Sequence, residues 1–93
     1  MLSLIKKLNK SCLKEDAKAK IKWSKELDVY AHDFRDFEDY ALKLAEEAVE
    51  LEESLSNWQH YHDLLVTYNE YSANSNYTKR IQEVELILDA LNQ

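Results

Sequence analysis

Neither glycine nor proline occurs in the 93 residues of this chain, although an average protein contains about 7% glycine and about 5% proline. Phosphate-binding glycine loops, nucleophile elbows and tight hairpin turns all depend on glycine backbone geometry, so the absence of glycine excludes them. A sheet with many tight turns is disfavoured for the same reason. The sequence therefore predicts an all-α protein whose turns are built from serine and asparagine.

Cysteine and long apolar runs are also scarce. The single cysteine, Cys12, excludes an intramolecular disulfide and a metal cage of several thiolates. No apolar run approaches the about 20 residues that a transmembrane helix needs. We expect a cytoplasmic protein without membrane contact, folded as a single domain over residues 1–93.

Charge is unevenly distributed along the chain, whose net charge is −6. Residues 1–25 contain eight lysines and two acids, a net charge of +6, whereas residues 26–53 contain eleven acids and two basic residues, a net charge of −9. This asymmetry predicts either a basic helix lying along an acidic one or a charged face that meets a partner. Direct binding of nucleic acid is not expected, because the overall charge repels phosphates.

Apolar side chains recur at alternating spacings of four and three residues from Trp23 to Leu65, with His62 as the one polar member. Such a heptad seam is typical of a helix that packs along another helix. Ser24, which is followed by acids, predicts a helix start after a short first helix over about 2–19. The members of the seam are Trp23, Leu27, Tyr30, Phe34, Phe37, Ala41, Leu44, Ala48, Leu51, Leu55, Trp58, His62 and Leu65.

The weakest part of this seam is 54–57, which is rich in serine and asparagine. A helix ending there would have five glutamates near its C-terminus, where the helix dipole disfavours acids by about 0.3–1 kcal/mol each. We therefore predict one very long helix over about 24–71, a break over 72–76 and a C-terminal helix over about 77–91. A helix break at 54–57 is the open alternative.

A helix of that length would extend about 72 Å at 1.5 Å per residue, so the two flanking helices could cover only its ends. Its middle third would then leave an apolar stripe in water, which is unfavourable. The sequence thus predicts a helical-bundle or coiled-coil assembly with a second copy or with another protein. The predicted oligomer seam consists of Leu44, Ala48, Leu51 and Leu55.

Six further side chains are predicted to bind a partner. Four are carboxylates on the outer side of the predicted long helix, which could attract a basic surface or imitate a phosphate backbone. The simpler interpretation of these acids is a solvated helix face. The other two are tyrosines beside the seam, which would serve as interface anchors. The predicted partner-binding residues are Asp39, Glu46, Glu50, Glu53, Tyr61 and Tyr68.

The pair formed by Glu47 and Glu50 is similar to the paired carboxylates with which all-α nucleotide pyrophosphohydrolases hold Mg²⁺, but no second acidic pair is evident later in the chain. We expect no catalytic residue, no metal and no cofactor. The favoured function is a small acidic protein-binding protein that acts as an inhibitor or adaptor of another protein, including a nucleic-acid enzyme. A homo-oligomeric structural coiled coil is the alternative, and a metal-dependent pyrophosphohydrolase is a distant one.

Overall fold

The computed structural model describes the backbone of residues 2–31, 33–71 and 76–93, and the side chains of these ranges from Lys14 onward, except Tyr71. Within these ranges all regular secondary structure is helical, which confirms the predicted all-α class. None of these helices combines the length and apolar character needed to cross a membrane. The helices are α1 (Leu2–Ala31), α2 (Arg35–Leu51), α3 (Leu55–Tyr71) and α4 (Thr78–Leu91).

The helices α1 and α2 form an antiparallel hairpin. Lys20 of α1 contacts Glu47 of α2, and Ser24 contacts Ala41. Residue numbers therefore increase along α1 where they decrease along α2. Small side chains occupy several buried positions of both helices, which permits a close approach of their axes. These positions include Ala17, Ala31, Ala41, Ala45 and Ala48, all nearly or fully buried.

The predicted single helix over 24–71 is wrong, because three helices share this range. The first reversal follows α1, where the carbonyl of Tyr30 accepts hydrogen bonds from the N–H groups of Asp33 and Phe34, both at 3.1 Å. Phe34 then has an extended backbone immediately before α2. The apolar spacing of four and three residues continues through this turn in the sequence, although Tyr30 and Phe34 beside the turn are more than half exposed. Periodicity alone therefore does not reveal the reversal.

The second reversal separates α2 from α3 and lies next to the weak stretch at 54–57, the alternative left open by the sequence. Ser54 Oγ accepts a hydrogen bond from the N–H of Asn57 at 3.1 Å, as the cap of α3. The side-chain amide of Asn57 donates to the carbonyl of Glu52, also at 3.1 Å. These two contacts stabilise the turn in the absence of glycine and proline.

The acids near the C-terminus of α2 do not prevent this turn. Four large side chains of α3 are almost completely buried once the chain folds back: Tyr61, Leu64, Leu65 and Tyr68. Burial of each such side chain contributes about 1.5–3 kcal/mol, compared with about 0.3–1 kcal/mol lost per acid at a helix C-terminus. The gain from packing therefore exceeds the local electrostatic cost.

The predicted helix start at Ser24 is also wrong, because α1 continues through it for a total of 30 residues. The Ser24 hydroxyl is buried and donates to the carbonyl of Ala41 at 2.7 Å, so it does not cap its own helix. A buried serine can satisfy its hydroxyl on a neighbouring helix as well as on its own backbone. The predicted short first helix is consequently the longest helix of the protein.

The helix α3 packs on the hairpin, and α4 packs on α3. The predicted C-terminal helix over about 77–91 is confirmed within one residue, and Val84 and Leu88 are buried as its pattern predicts. Of the predicted break over 72–76, residues 72–75 lie outside the described ones. The principal extents of 51, 29 and 15 Å describe a flat, elongated body.

Candidate protein-binding surface

Two polar contacts position α3 on the hairpin. Ser24 Oγ lies 2.9 Å from Nε2 of His60, and the Tyr68 hydroxyl donates to Oδ1 of Asp28 at 2.6 Å. Both contacts join α1 to α3. From the first contact to the second, the residue numbers increase along both helices, so α1 and α3 run parallel. As a result, α3 occupies the groove on one side of the α1–α2 hairpin.

The Ser24–His60 pair is not arranged as a nucleophile with its base. The single hydroxyl proton of Ser24 is already donated to the carbonyl of Ala41, so Nε2 of His60 must donate its own proton to Ser24 Oγ. A general base would need to accept the serine proton, which is the opposite direction. Ser24 also has no exposed surface for a substrate to reach. This contact therefore holds α3 in place.

Burial lowers the pKa of the His60 imidazole below its ordinary value of 6.5, because the core disfavours the charged ring. The charge of Lys25 lowers the pKa further, whereas Asp28 and Asp63 oppose the shift. His60 is therefore neutral at pH 7, in agreement with a ring that donates from Nε2 alone. Just below pH 6.5, the unfolded chain binds a proton at this position more readily than the folded protein does.

The free energy of unfolding should consequently fall as the pH decreases from 6.5 through the lower pKa of folded His60. We expect His60→Gln to flatten this pH dependence, because the glutamine amide can donate to Ser24 Oγ without titrating. Urea unfolding at a series of pH values measures the slope. Lys25→Gln is the graded control and should reduce the slope without removing it. An unchanged slope in His60→Gln would contradict this assignment.

The two predicted tyrosine anchors lie in the core. Tyr61 is 3% exposed and Tyr68 is 0% exposed, so the prediction that they are surface anchors is corrected. Arg80 covers Tyr61, donating from Nε to its hydroxyl at 3.1 Å with the guanidinium 5.4 Å from the ring centroid. Burial raises the pKa of the Tyr61 hydroxyl. Tyr61 and Tyr68 are buried because the chain reverses before α3, and the predicted long helix did not include this reversal.

The four predicted acids are all exposed. Asp39, Glu46 and Glu50 lie on α2, whereas Glu53 lies in the turn before α3 and does not continue their row. The neighbouring Glu47 binds Lys20 at 2.6 Å, and this hydrogen bond lowers the pKa of its carboxyl group. Because both side chains are about one-third exposed, solvent screening limits this ion pair to about 0–1 kcal/mol.

The predicted oligomer seam does not form one surface. Ala48 is completely buried and Leu44 and Leu51 are half-buried, so α1 and the turn already cover part of the stripe. Leu55 begins the next helix and is 42% exposed. The uncovered middle of a 24–71 helix, which was the reason for predicting this seam, therefore does not exist.

Most described lysines of α1 lie on the side of this helix that faces α3. Lys14, Lys18 and Lys25 line a groove of about 430 Å³ together with Ser54 and Asn57 at the start of α3. Lys20 is an exception, since it contacts α2. These three lysines of α1 therefore lie on the side of the hairpin that binds α3, and not on its opposite side.

Exposed aromatic residues define that opposite side. Ser24 and Asp28 contact α3, and Ala31 is buried. Because an α-helix turns by about 100° per residue, Trp23 and Tyr30 lie on the flank of α1 away from α3. They are 60% and 55% exposed.

The corresponding flank of α2 carries Tyr40, which is 57% exposed. Leu42 belongs to the core shared with α3, and Tyr40 lies two positions before it, about 200° around the helix. Phe34, in the turn between the two helices, is 55% exposed and packs on Phe37 with the ring centroids 5.2 Å apart. We call Trp23, Tyr30, Phe34 and Tyr40 the outer face. Half-buried Leu27, Phe37 and Leu44 lie between these residues and the core.

The sequence pattern assigned Trp23, Tyr30 and Phe34 to the buried seam, and this assignment is corrected. The available signal was the run of small residues Ala17, Ser24 and Ala31, spaced seven apart. In a closely packed hairpin, small residues occupy the centre of the contact and larger neighbours are displaced to its flanks.

The other polar clusters of the described residues do not form a candidate binding site. His62 has both ring nitrogens buried without a hydrogen-bond partner among the described residues, at 3.8 Å from Asp63 and 3.7 Å from Glu85. No group of three or more histidine, cysteine or acidic side chains in the described part of the chain could hold a metal ion.

No family model matches the chain, and neither a curated protein nor a solved structure is significantly similar to it.

Proposed function

We propose that the protein is non-catalytic and acts by binding another protein, as an inhibitor or adaptor, through its outer face. The observation that carries this proposal is the exposure of four aromatic side chains on one side of the hairpin, each more than half exposed. The core contains separate residues from all four helices and does not need them.

Aromatic side chains are enriched in the centres of protein interfaces, where they contribute large contact areas at little conformational cost. Isolated exposed apolar residues are common and require no explanation, but an adjoining group of them marks an interaction surface more often. Val29 and Leu86 are isolated examples on other sides of the protein, since Val29 lies on the opposite flank of α1 and Leu86 lies on α4.

The test compares the tagged wild-type protein with the double variant Trp23→Ser and Tyr30→Ser in affinity capture from the native host. We expect the variant to lose a partner that the wild type retains, because both aromatic contact residues that α1 contributes to the outer face are removed. Both residues are exposed, so the thermal unfolding midpoint should change little. Quantitative mass spectrometry of the captured proteins provides the comparison.

The matched control is the double variant Val29→Ser and Leu86→Ser, which removes two apolar side chains elsewhere that are even more exposed, at 72% and 71%. This control should capture the same partner as the wild type. If the outer-face variant retains every protein that the wild type captures, binding does not occur through this surface.

A further inference from the structure

The charged residues around the outer face differ from those on the rest of α1. Asp16 lies seven residues before Trp23, and Glu26 lies between Trp23 and Tyr30, so both carboxylates share their flank of the helix. Both are exposed. Lys20, three residues before Trp23, is a cation of the same flank, and its charge is paired with Glu47. The two carboxylates therefore leave this flank of α1 negative beside the outer face, although residues 1–25 as a whole carry a net charge of +6.

The corresponding flank of α2 is acidic as well. Asp36 lies four residues before Tyr40 and is exposed, while Glu47 lies seven residues after it and binds Lys20. Lys43 is the one exposed cation of this flank within the described part of α2. Asp39, Glu46 and Glu50 extend the negative charge around the exposed side of the same helix.

Acidic borders on both helices disfavour a second copy of the protein on this surface. In a symmetric dimer the same patch meets itself, so the carboxylates of one copy would approach those of the other. Like charges brought together at an interface cost free energy and suppress association. A basic partner would instead gain from the same carboxylates.

The shape of the surface favours a helix. Two antiparallel helices leave a groove on each side of their contact, and α3 occupies the groove on one side. On the other side, half-buried Leu27 and Leu44 lie on the helix flanks that carry Trp23 and Tyr40, and the Lys20–Glu47 ion pair also joins the two helices there. An amphipathic helix laid into such a groove is a common mode of recognition, with apolar anchors three, four and seven residues apart.

We infer that the outer face binds a basic amphipathic helix of another protein, with its apolar stripe on the aromatic side chains and its lysines or arginines beside the acidic borders. This inference rests on the proposed function and specifies the class of partner. An aromatic side chain buries about 150–250 Å² in total, so four half-exposed ones offer about 300–500 Å². This is a substantial part of the about 800 Å² that a standard interface buries on each partner.

The experiment uses two synthetic peptides of about 18 residues, which is five helical turns. Both have leucine at heptad positions, with lysine at the polar positions of one peptide and glutamate at those of the other. Trp23 is 60% exposed and Trp58 is 6% exposed, so the tryptophan emission responds selectively to covering of the outer face. We expect the lysine peptide to shift this emission to shorter wavelength and the glutamate peptide to leave it unchanged.

Two charge variants test where the peptide binds. Glu26→Lys with Asp36→Lys reverses carboxylates beside the outer face, whereas Glu70→Lys with Asp89→Lys makes the same change in net charge on α3 and α4. We expect about tenfold weaker binding in the first variant, and a loss that shrinks at high salt. The second variant should bind the lysine peptide nearly as tightly as the wild type.

Several outcomes would overturn this inference. Equal weakening in the two charge variants would indicate general attraction between opposite charges. Binding of the glutamate peptide, or concentration-dependent dimerisation with a shift of the Trp23 emission, would assign the surface to an acidic partner or to a second copy. If neither peptide binds but the Trp23 and Tyr30 variant still loses its captured partner, the class of partner is wrong and the proposed function stands.

Discussion

Replacing Tyr68 with alanine is expected to lower the free energy of unfolding by about 3–5 kcal/mol, as for other large aromatic residues removed from a core. Tyr68 has no exposed surface and belongs to the cluster that joins all four helices. Its hydroxyl also donates to Asp28, so the variant loses a contact between α3 and α1 as well as packing. A small domain is stable by about 5–15 kcal/mol, so this loss is a large fraction of the total.

Urea unfolding followed by circular dichroism measures this loss. Tyr68→Phe separates its two components, because it keeps the ring in the core and removes the hydroxyl group, with its hydrogen bond to the Asp28 carboxylate. A hydrogen bond to a charged group contributes about 1.5–3 kcal/mol, so this variant should be intermediate. If Tyr68→Ala unfolds at the wild-type urea concentration, Tyr68 does not lie in the core and the docking of α3 on the hairpin is wrong.

The second large effect is expected for Ala48→Asp. Ala48 is completely buried where α2 meets α1, so the new carboxylate would be desolvated without a partner. Truncations that leave a buried charge unpaired cost about 3–5 kcal/mol, and a similar loss is expected here. Thermal unfolding provides the measurement. Lys43→Asp, on the exposed side of the same helix, is the control and should change the stability by about 0.5 kcal/mol or less.

This variant also distinguishes the observed fold from the predicted long helix. In a long-helix assembly, Ala48 would contact a second molecule, and the effect of aspartate would appear as dissociation that depends on protein concentration. In the α1–α2 hairpin, the contact lies within one chain, and the unfolding midpoint should be independent of concentration. A monomeric, fully folded Ala48→Asp protein would contradict the hairpin.

Several features of the fold could be predicted from the sequence because they depend on local interactions. The lack of glycine and proline indicates an all-α protein, and the spacing of Ile81, Val84 and Leu88 predicts α4 with its buried face. A short amphipathic helix at the end of a bundle has one apolar stripe and one way to bury it. Arg80 in its first turn opposes the helix dipole, and only its contacts with Tyr61 and Glu83 explain its position.

The positions of the chain reversals depended on tertiary structure. The heptad seam shows which side of a helix is apolar, but the same spacing serves a continuous helix and a hairpin that folds upon itself. Local electrostatics favoured a continuous helix through 54–57, and burial of the α3 side chains outweighs it. Such a comparison needs the packed arrangement, because the local pattern shows the electrostatic cost but not the burial that outweighs it.

The candidate site also depends partly on the sequence and partly on the tertiary structure. The sequence by itself determined that the chain is helical, that acids gather on α2 and that aromatic residues are frequent. Only the tertiary structure decided which aromatic residues are exposed: Tyr61 and Tyr68 enter the core with α3, while Trp23 and Tyr30 remain in solvent. The physical reason is a rotation of about one residue, or 100°, in the face of α1 that meets α2. The small side chains of Ser24 and Ala31 permit the closest approach of the helices and thereby displace their larger neighbours to the surface.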